Sequence, residues 1–176
     1  MLDILIFRIV LLLAFIIIAY FLGDWNNLEK YYPTILFVMV VNVTASFLTY
    51  HHTLWNFNPD YLVKTYTIIE LLNSYIVLPC TVFVFLSNFP PFSNILQYTY
   101  IGLWIIIYST IELLDSMIGG ISYQHGWSWQ ISTLFDCAIF SIIRIHYIRP
   151  VWAWGITFLL GAAIVTIFNF SSAEMK

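Results

Sequence analysis

An all-α integral membrane protein with six transmembrane helices is predicted by three features of the chain. Hydrophobic residues make up 61% of it and charged residues only 9%, where a soluble domain carries about 25% charged. Mean hydropathy is +0.89. Six apolar runs are each near the roughly 20 residues that cross about 30 Å of hydrocarbon. Five helices is the alternative if the last run does not span. Residues 1–176 read as one transmembrane domain, too continuously apolar to hold a second, soluble one.

The formal charge of −3 and the lack of a basic run exclude a nucleic-acid binder. No phosphate-binding glycine loop, serine-nucleophile elbow or dinucleotide fingerprint is present. Cys80 and Cys137 both fall in apolar segments and read as small buried residues rather than a disulfide or metal framework.

The first span is Ile4–Leu22, with Arg8 as its single charge; it has no small-residue cleavage site, so it reads as a span rather than a signal peptide. A polar loop follows, with Trp25, Tyr31 and Tyr32 as interfacial anchors, and Pro33 closes it. The second span is Thr34–Leu54, and His51 and His52 lie near its end. Pro59 ends any helix in the turn Trp55–Asp60. The third span, Leu62–Leu86, places Glu70 and Asn73 on one face, and Pro79 is expected to kink it. Ser87–Ser93 is a stop. The fourth span, Asn94–Met117, carries Glu112 and Asp115 near its end and is broken by Gly119-Gly120. After a loop holding His125 come the fifth span, Trp129–Tyr147, and the sixth, Val151–Phe170, with Pro150 between them. Ser171–Lys176 is a polar tail.

Six spans put both termini on one side, with the loops after spans two and four. Lys and Arg then divide equally: Arg8, Lys64 and Lys176 against Lys30, Arg144 and Arg149. With Arg8 discounted as embedded, the opposite side is favoured as cytoplasmic and the termini as extracytoplasmic.

Depth sorts the ionisable groups. A rise of 1.5 Å per residue puts Glu70 and Glu112 each roughly 9 Å from the middle of its span, towards the side of the second and fourth loops. Arg8, His51, His52, Asp115 and Asp136 fall in the same half, so seven residues from five helices converge there. Ionisable side chains are costly in hydrocarbon, and a shared, water-accessible polar cavity accounts for this sorting. Glu70, Glu112, Asp115, Asp136, His52, Asn73 and Arg8 are its candidates. Each also has a structural reading: Glu112 and Asp115 as a helix end, Glu70 with Asn73 as an internal hydrogen bond, and the histidines as anchors beside Trp55. Arg8 pairs with one of these acids or snorkels. Arg144 shares a face with Asp136 but lies about 12 Å away along the axis; with His146 and Arg149 it reads as an interfacial basic cluster.

Three chemistries suit such a cavity. A proton or small-solute site would use the acids. A membrane-embedded enzyme acting on a lipid or isoprenoid would use paired carboxylates in proton transfer. A metal would draw on His51, His52 and Glu112, although no His-x-x-x-His or Glu-x-x-His spacing is present. A non-catalytic membrane partner, monomeric or homo-oligomeric, is the third class. No cofactor is specified.

Glu112 in its helix, Tyr123 with Gly126-Trp127 and Ser128, the exit Tyr147–Arg149, Pro150 and Trp152–Trp154 resemble a family of small multi-spanning membrane proteins from spore-forming, Gram-positive bacteria. The likeness covers about the C-terminal half. It implies a bacterial plasma-membrane protein, and the family's activity is uncharacterised.

Overall fold

The computed structural model describes residues 1–91 and 93–170. Phe92 of the predicted stop and the tail Ser171–Lys176 lie outside the described residues. The chain forms α1 (Leu2–Leu22), α2 (Leu28–Leu48) entered through a 3-10 turn at Trp25–Asn27, β1 (Trp55–Phe57), α3 (Tyr66–Leu72), a π-turn at Asn73–Val77, α4 (Leu78–Ser87), α5 (Asn94–Met117), β2 (Ile121–Tyr123), α6 (Trp129–Ile148) and α7 (Pro150–Ile167). Six helical segments, with α3 to α4 counted as one, are long and apolar enough to cross a membrane. The protein is a multi-pass helical membrane bundle.

The packing makes α4 central. It lies against α1 and α2, while α6 packs against α5, α7 and α2. Val82, Phe83, Val84, Phe85 and Leu86 of α4 are all buried, and with Phe140, Ile142 and Ile143 of α6 they form the core. Elsewhere most apolar side chains point outward, as expected of helices whose solvent is hydrocarbon. Cys137 is one of them: both cysteines are free, but Cys137 is exposed on the outer face of α6 rather than buried.

Three boundaries differ from expectation. Pro33 does not start the second span; it sits inside α2, which begins at Leu28 and ends at Leu48. Proline removes one backbone hydrogen bond, and a span of 24 residues from Trp25 absorbs that loss. The whole helix therefore shifts towards the N-terminus, and His51 and His52 fall in the turn beyond it. The third span begins at Tyr66 rather than Leu62, because Asp60 accepts from the backbone N–H of Leu62 and Val63 at 2.8 and 2.7 Å and holds a turn there. The sixth helix ends at Ile167.

The irregularity expected at Pro79 is the π-turn just before it. Leu78 N–H donates to the Asn73 carbonyl, five residues back. The wider turn receives Pro79, which has no N–H and would crowd the carbonyl four residues back in a regular helix.

At one end of the bundle the two short strands pair antiparallel, Trp55 with Tyr123 and Phe57 with Ile121. Asn58 N–H to the Gly120 carbonyl and Gln124 N–H to the Leu54 carbonyl, both 2.8 Å, extend the ladder. Phe168 and Phe170, just beyond α7, touch Trp127 and His52 of this cap.

Candidate functional site

Arg8 fastens the cap to the bundle. Its guanidinium reaches out of α1 to Asp60 at 2.9 Å and to the Gly120 carbonyl at 3.0 Å, tying both connecting loops to one helix. The predicted partner was one of the four acids of the spans; the actual partner, Asp60, is 52 residues away in the turn after β1 and only 1% exposed. Burial alone would raise the Asp60 carboxyl, but the Val63 N–H, Arg8 and the Leu62 N–H together hold it below the usual carboxylate range.

Gly119 adopts φ +76° where α5 stops, a left-handed conformation that suits glycine. Gly120 is required for a different reason: a Cβ there would collide with the Asp115 carboxyl group. The Gly-Gly break therefore turns the chain and lets a carboxylate lie flat against it.

Beneath the cap is a cavity of about 210 Å³, room for several waters or one small solute. Its walls carry Glu70 and Asn73 from the third span, Glu112 and Asp115 from α5, Asp136 from α6, Arg8 from α1 and Asn42 from α2. Trp55 and Phe57 of β1 and Ile121 of β2 also line it, together with Tyr108 and Phe135. Of the residues singled out by depth, the structure brings Glu70, Glu112, Asp115, Asp136 and Arg8 together, and Asn73, a candidate through its shared face with Glu70, joins them. His51 and His52 are not among the lining residues. His52 instead stacks on His125 with ring centroids 3.7 Å apart, inside the cap. His125 holds φ +52° and donates from Nδ1 to the Thr53 carbonyl at 2.9 Å. Among the described residues no three His, Cys, Asp or Glu side chains converge to hold a metal ion, so the His51, His52 and Glu112 set is not assembled.

The four acids are held differently. Glu70 Oε1 accepts from Asn42 Nδ2 at 2.9 Å and Ser46 Oγ at 2.6 Å, and Asn42 also donates to Ser74 Oγ. The partner that spacing proposed in Asn73 is supplied instead by Asn42 and Ser46 of α2. Glu112 Oε1 accepts from the Tyr123 hydroxyl of β2 at 2.7 Å. Burial first, and then that bond to Glu112, push the Tyr123 phenol up, so it stays a donor. Glu70 is 6% exposed and Asp115 and Asp136 are each 7% exposed, and Glu70 Oε2, Asp115 Oδ1 and Asp136 Oδ2 have no hydrogen-bond partner among the described residues. A buried carboxyl oxygen without a donor is costly; Asp115 Oδ1 is packed against Gly120, which leaves Glu70 Oε2 and Asp136 Oδ2 to meet a proton, ion or ligand.

Towards the other end the cavity lining stops at Leu78, Tyr108 and Ile139. The next layer is an aromatic plug, in which Phe140 contacts Tyr108, Phe85 and Trp104 with centroids 5.2 to 5.8 Å apart. His146, grouped by sequence with Arg144 and Arg149 at an interface, faces inward beyond the plug. Its Nδ1 is 3.0 Å from Thr34 Oγ1, and its ring stacks on Phe37. Arg144 lies over the Phe89 and Tyr147 rings at 4.1 and 5.6 Å.

Two functional positions gave no sequence signal. Asp60 sits in a turn whose only readable feature is Pro59, and Asn42 is one of several polar residues in its span. No family model, curated protein or solved structure matches the chain.

Proposed function

We propose that this is a multi-pass protein of a bacterial plasma membrane whose capped, acid-lined chamber binds a small cationic solute, or the protons that would take its place. One observation carries the reading: four carboxyl groups from three spans line one cavity, and the single guanidinium beside them is already matched by Asp60. Such a chamber in a low-dielectric bundle requires protons or cations for balance. Trp55, Phe57, Tyr108 and Phe135 in the same walls suit a cation, because aromatic faces attract positive charge. The packed aromatic layer beyond Tyr108 favours binding over open conduction in this conformation.

An enzyme acting on a lipid is the second reading. It is favoured by Asp115 and Asp136, whose unpartnered oxygens stand in the same chamber as the Tyr123–Glu112 pair and could exchange protons with a substrate.

The test is thermal unfolding of the detergent-purified protein against a panel of propylammonium, sodium, propanol and propionate. Propylammonium raises the midpoint of the native protein, whereas propanol and propionate do not. Glu112→Gln/Asp136→Asn keeps its own midpoint but loses the shift. Equal response to all four solutes, or a shift that survives the double substitution, removes the reading.

A further inference from the structure

A second cavity of about 190 Å³ lies beside the first, between α1 and the approach to α3. Its lining is apolar over most of its length, with Leu5, Ile9 and Leu12 on one side and Leu62, Val63 and Leu72 on the other. Ile9 and Leu72, on membrane-crossing helices, are also exposed at the outer surface, which there means exposed to hydrocarbon, and Leu62 is exposed in the turn before Tyr66. The two cavities share a wall: Arg8, Leu11, Ile69, Asn73 and Val77 line both. Asn73 and Val77 are the first and last residues of the π-turn, so the local widening of the third span sits at the junction. Arg8 is held in that wall by Asp60 and Gly120.

The side-by-side arrangement of an apolar groove open to lipid and an acidic chamber under a cap matches a molecule with two unlike ends. We infer that chamber and groove form one site for a single-chain amphiphile with an ammonium head, the head among Glu112, Asp115 and Asp136 and the hydrocarbon tail in the groove. This rests on the cation-binding reading of the chamber and adds the substrate class and the direction of entry. The ligand arrives sideways from the membrane past Ile9 and Leu72, with no need to open the β1–β2 cap. The unpartnered Asp136 Oδ2 and the carboxyl of Glu112 provide acceptors for ammonium N–H, and charge selects against anionic lipids of the same tail.

The experiment uses the full-length protein in nanodiscs and two photoactivatable probes with the same alkyl tail, one headed by a primary ammonium and the other by sulfate. The diazirine is placed in the tail, and labelled peptides are mapped by mass spectrometry. The ammonium probe is expected to label residues 5–12 and 62–72 about tenfold more than the sulfate probe, the factor that one charge-assisted hydrogen bond supplies. Glu112→Gln/Asp136→Asn abolishes the difference. Leu72→Trp, which fills the groove from an exposed position, abolishes groove labelling while leaving the propylammonium shift intact. Equal labelling by both probes in a protein that still responds to propylammonium overturns the amphiphile and leaves the chamber reading standing. Equal labelling without a propylammonium response overturns both.

Discussion

The two ends of this bundle are built from opposite materials. At one end Phe85, Trp104, Tyr108 and Phe140 interlock, and nearby polar atoms find partners: Tyr100 donates to the Phe85 carbonyl, the Trp25 indole to the Ala19 and Tyr20 carbonyls, and Asn88 to the Leu22 carbonyl. At the other end four carboxyl groups line a cavity, and three of their oxygens have no partner among the described residues. In lipid the apolar core gains nothing from leaving water, so van der Waals fit and satisfied hydrogen bonds hold the helices together. The plugged end has both. The chambered end instead leans on its cap, through Arg8, Asp60 and the paired strands, to keep an under-packed region in shape. Stability is concentrated in one end and chemical capacity in the other.

The contrast breaks most readily in the plug. Phe140→Ala removes the ring shared by Phe85, Trp104 and Tyr108 and is expected to cost about 3–5 kcal/mol, read as a fall in the thermal midpoint. Arg8→Ala leaves Asp60 buried without its countercharge, for a loss of about 3 kcal/mol. Arg8→Met/Asp60→Asn should recover much of it, whereas a rim contact would show no such coupling. Acid acts on the same tie. A carboxyl held below its unfolded value adds stability above about pH 4, lost as the pH falls further through its folded value. Amide exchange at Asn58 and Gln124 should therefore accelerate below pH 4 before the helices open. Gly120→Ala drives a methyl into Asp115 and is expected to cost about 1–3 kcal/mol; Gly120→Ala/Asp115→Ala should be less damaged than the two single losses added. Tyr123→Phe deletes one donor to Glu112 and should cost about 1 kcal/mol, within reach of a careful midpoint comparison.

Much of the chambered end could be read from residue depth alone. Glu70, Glu112, Asp115 and Asp136 lie in the same half of their spans, and helix rise converts sequence position to height without knowledge of packing. What the sequence hid is what depth cannot report. Asp60 and the strands Trp55–Phe57 and Ile121–Tyr123 act across 52 and 66 residues, and three-residue strands carry no periodicity to detect. His51 and His52 were placed in a helix because Pro33 reads as a boundary, yet α2 runs through it. His146 was assigned to an interface by its basic neighbours, but the 100° step per residue turns it towards Thr34 while Arg144 faces Phe89.

The π-turn at Asn73–Val77 sets a gearing ratio for the third span. Glu70 stands on one side of it, facing the chamber, and Phe85 on the other, inside the plug. A regular helix would advance about 100° for every residue between them, and the wider turn takes up one residue without that advance. Removing one residue from this segment would restore regular winding and leave Glu70 facing the chamber and Phe85 facing Phe140, whereas removing a second would swing Phe85 about 100° away. The extra residue is thus absorbed where it arises, and the register between chamber and plug is set by the regular turns on either side of it.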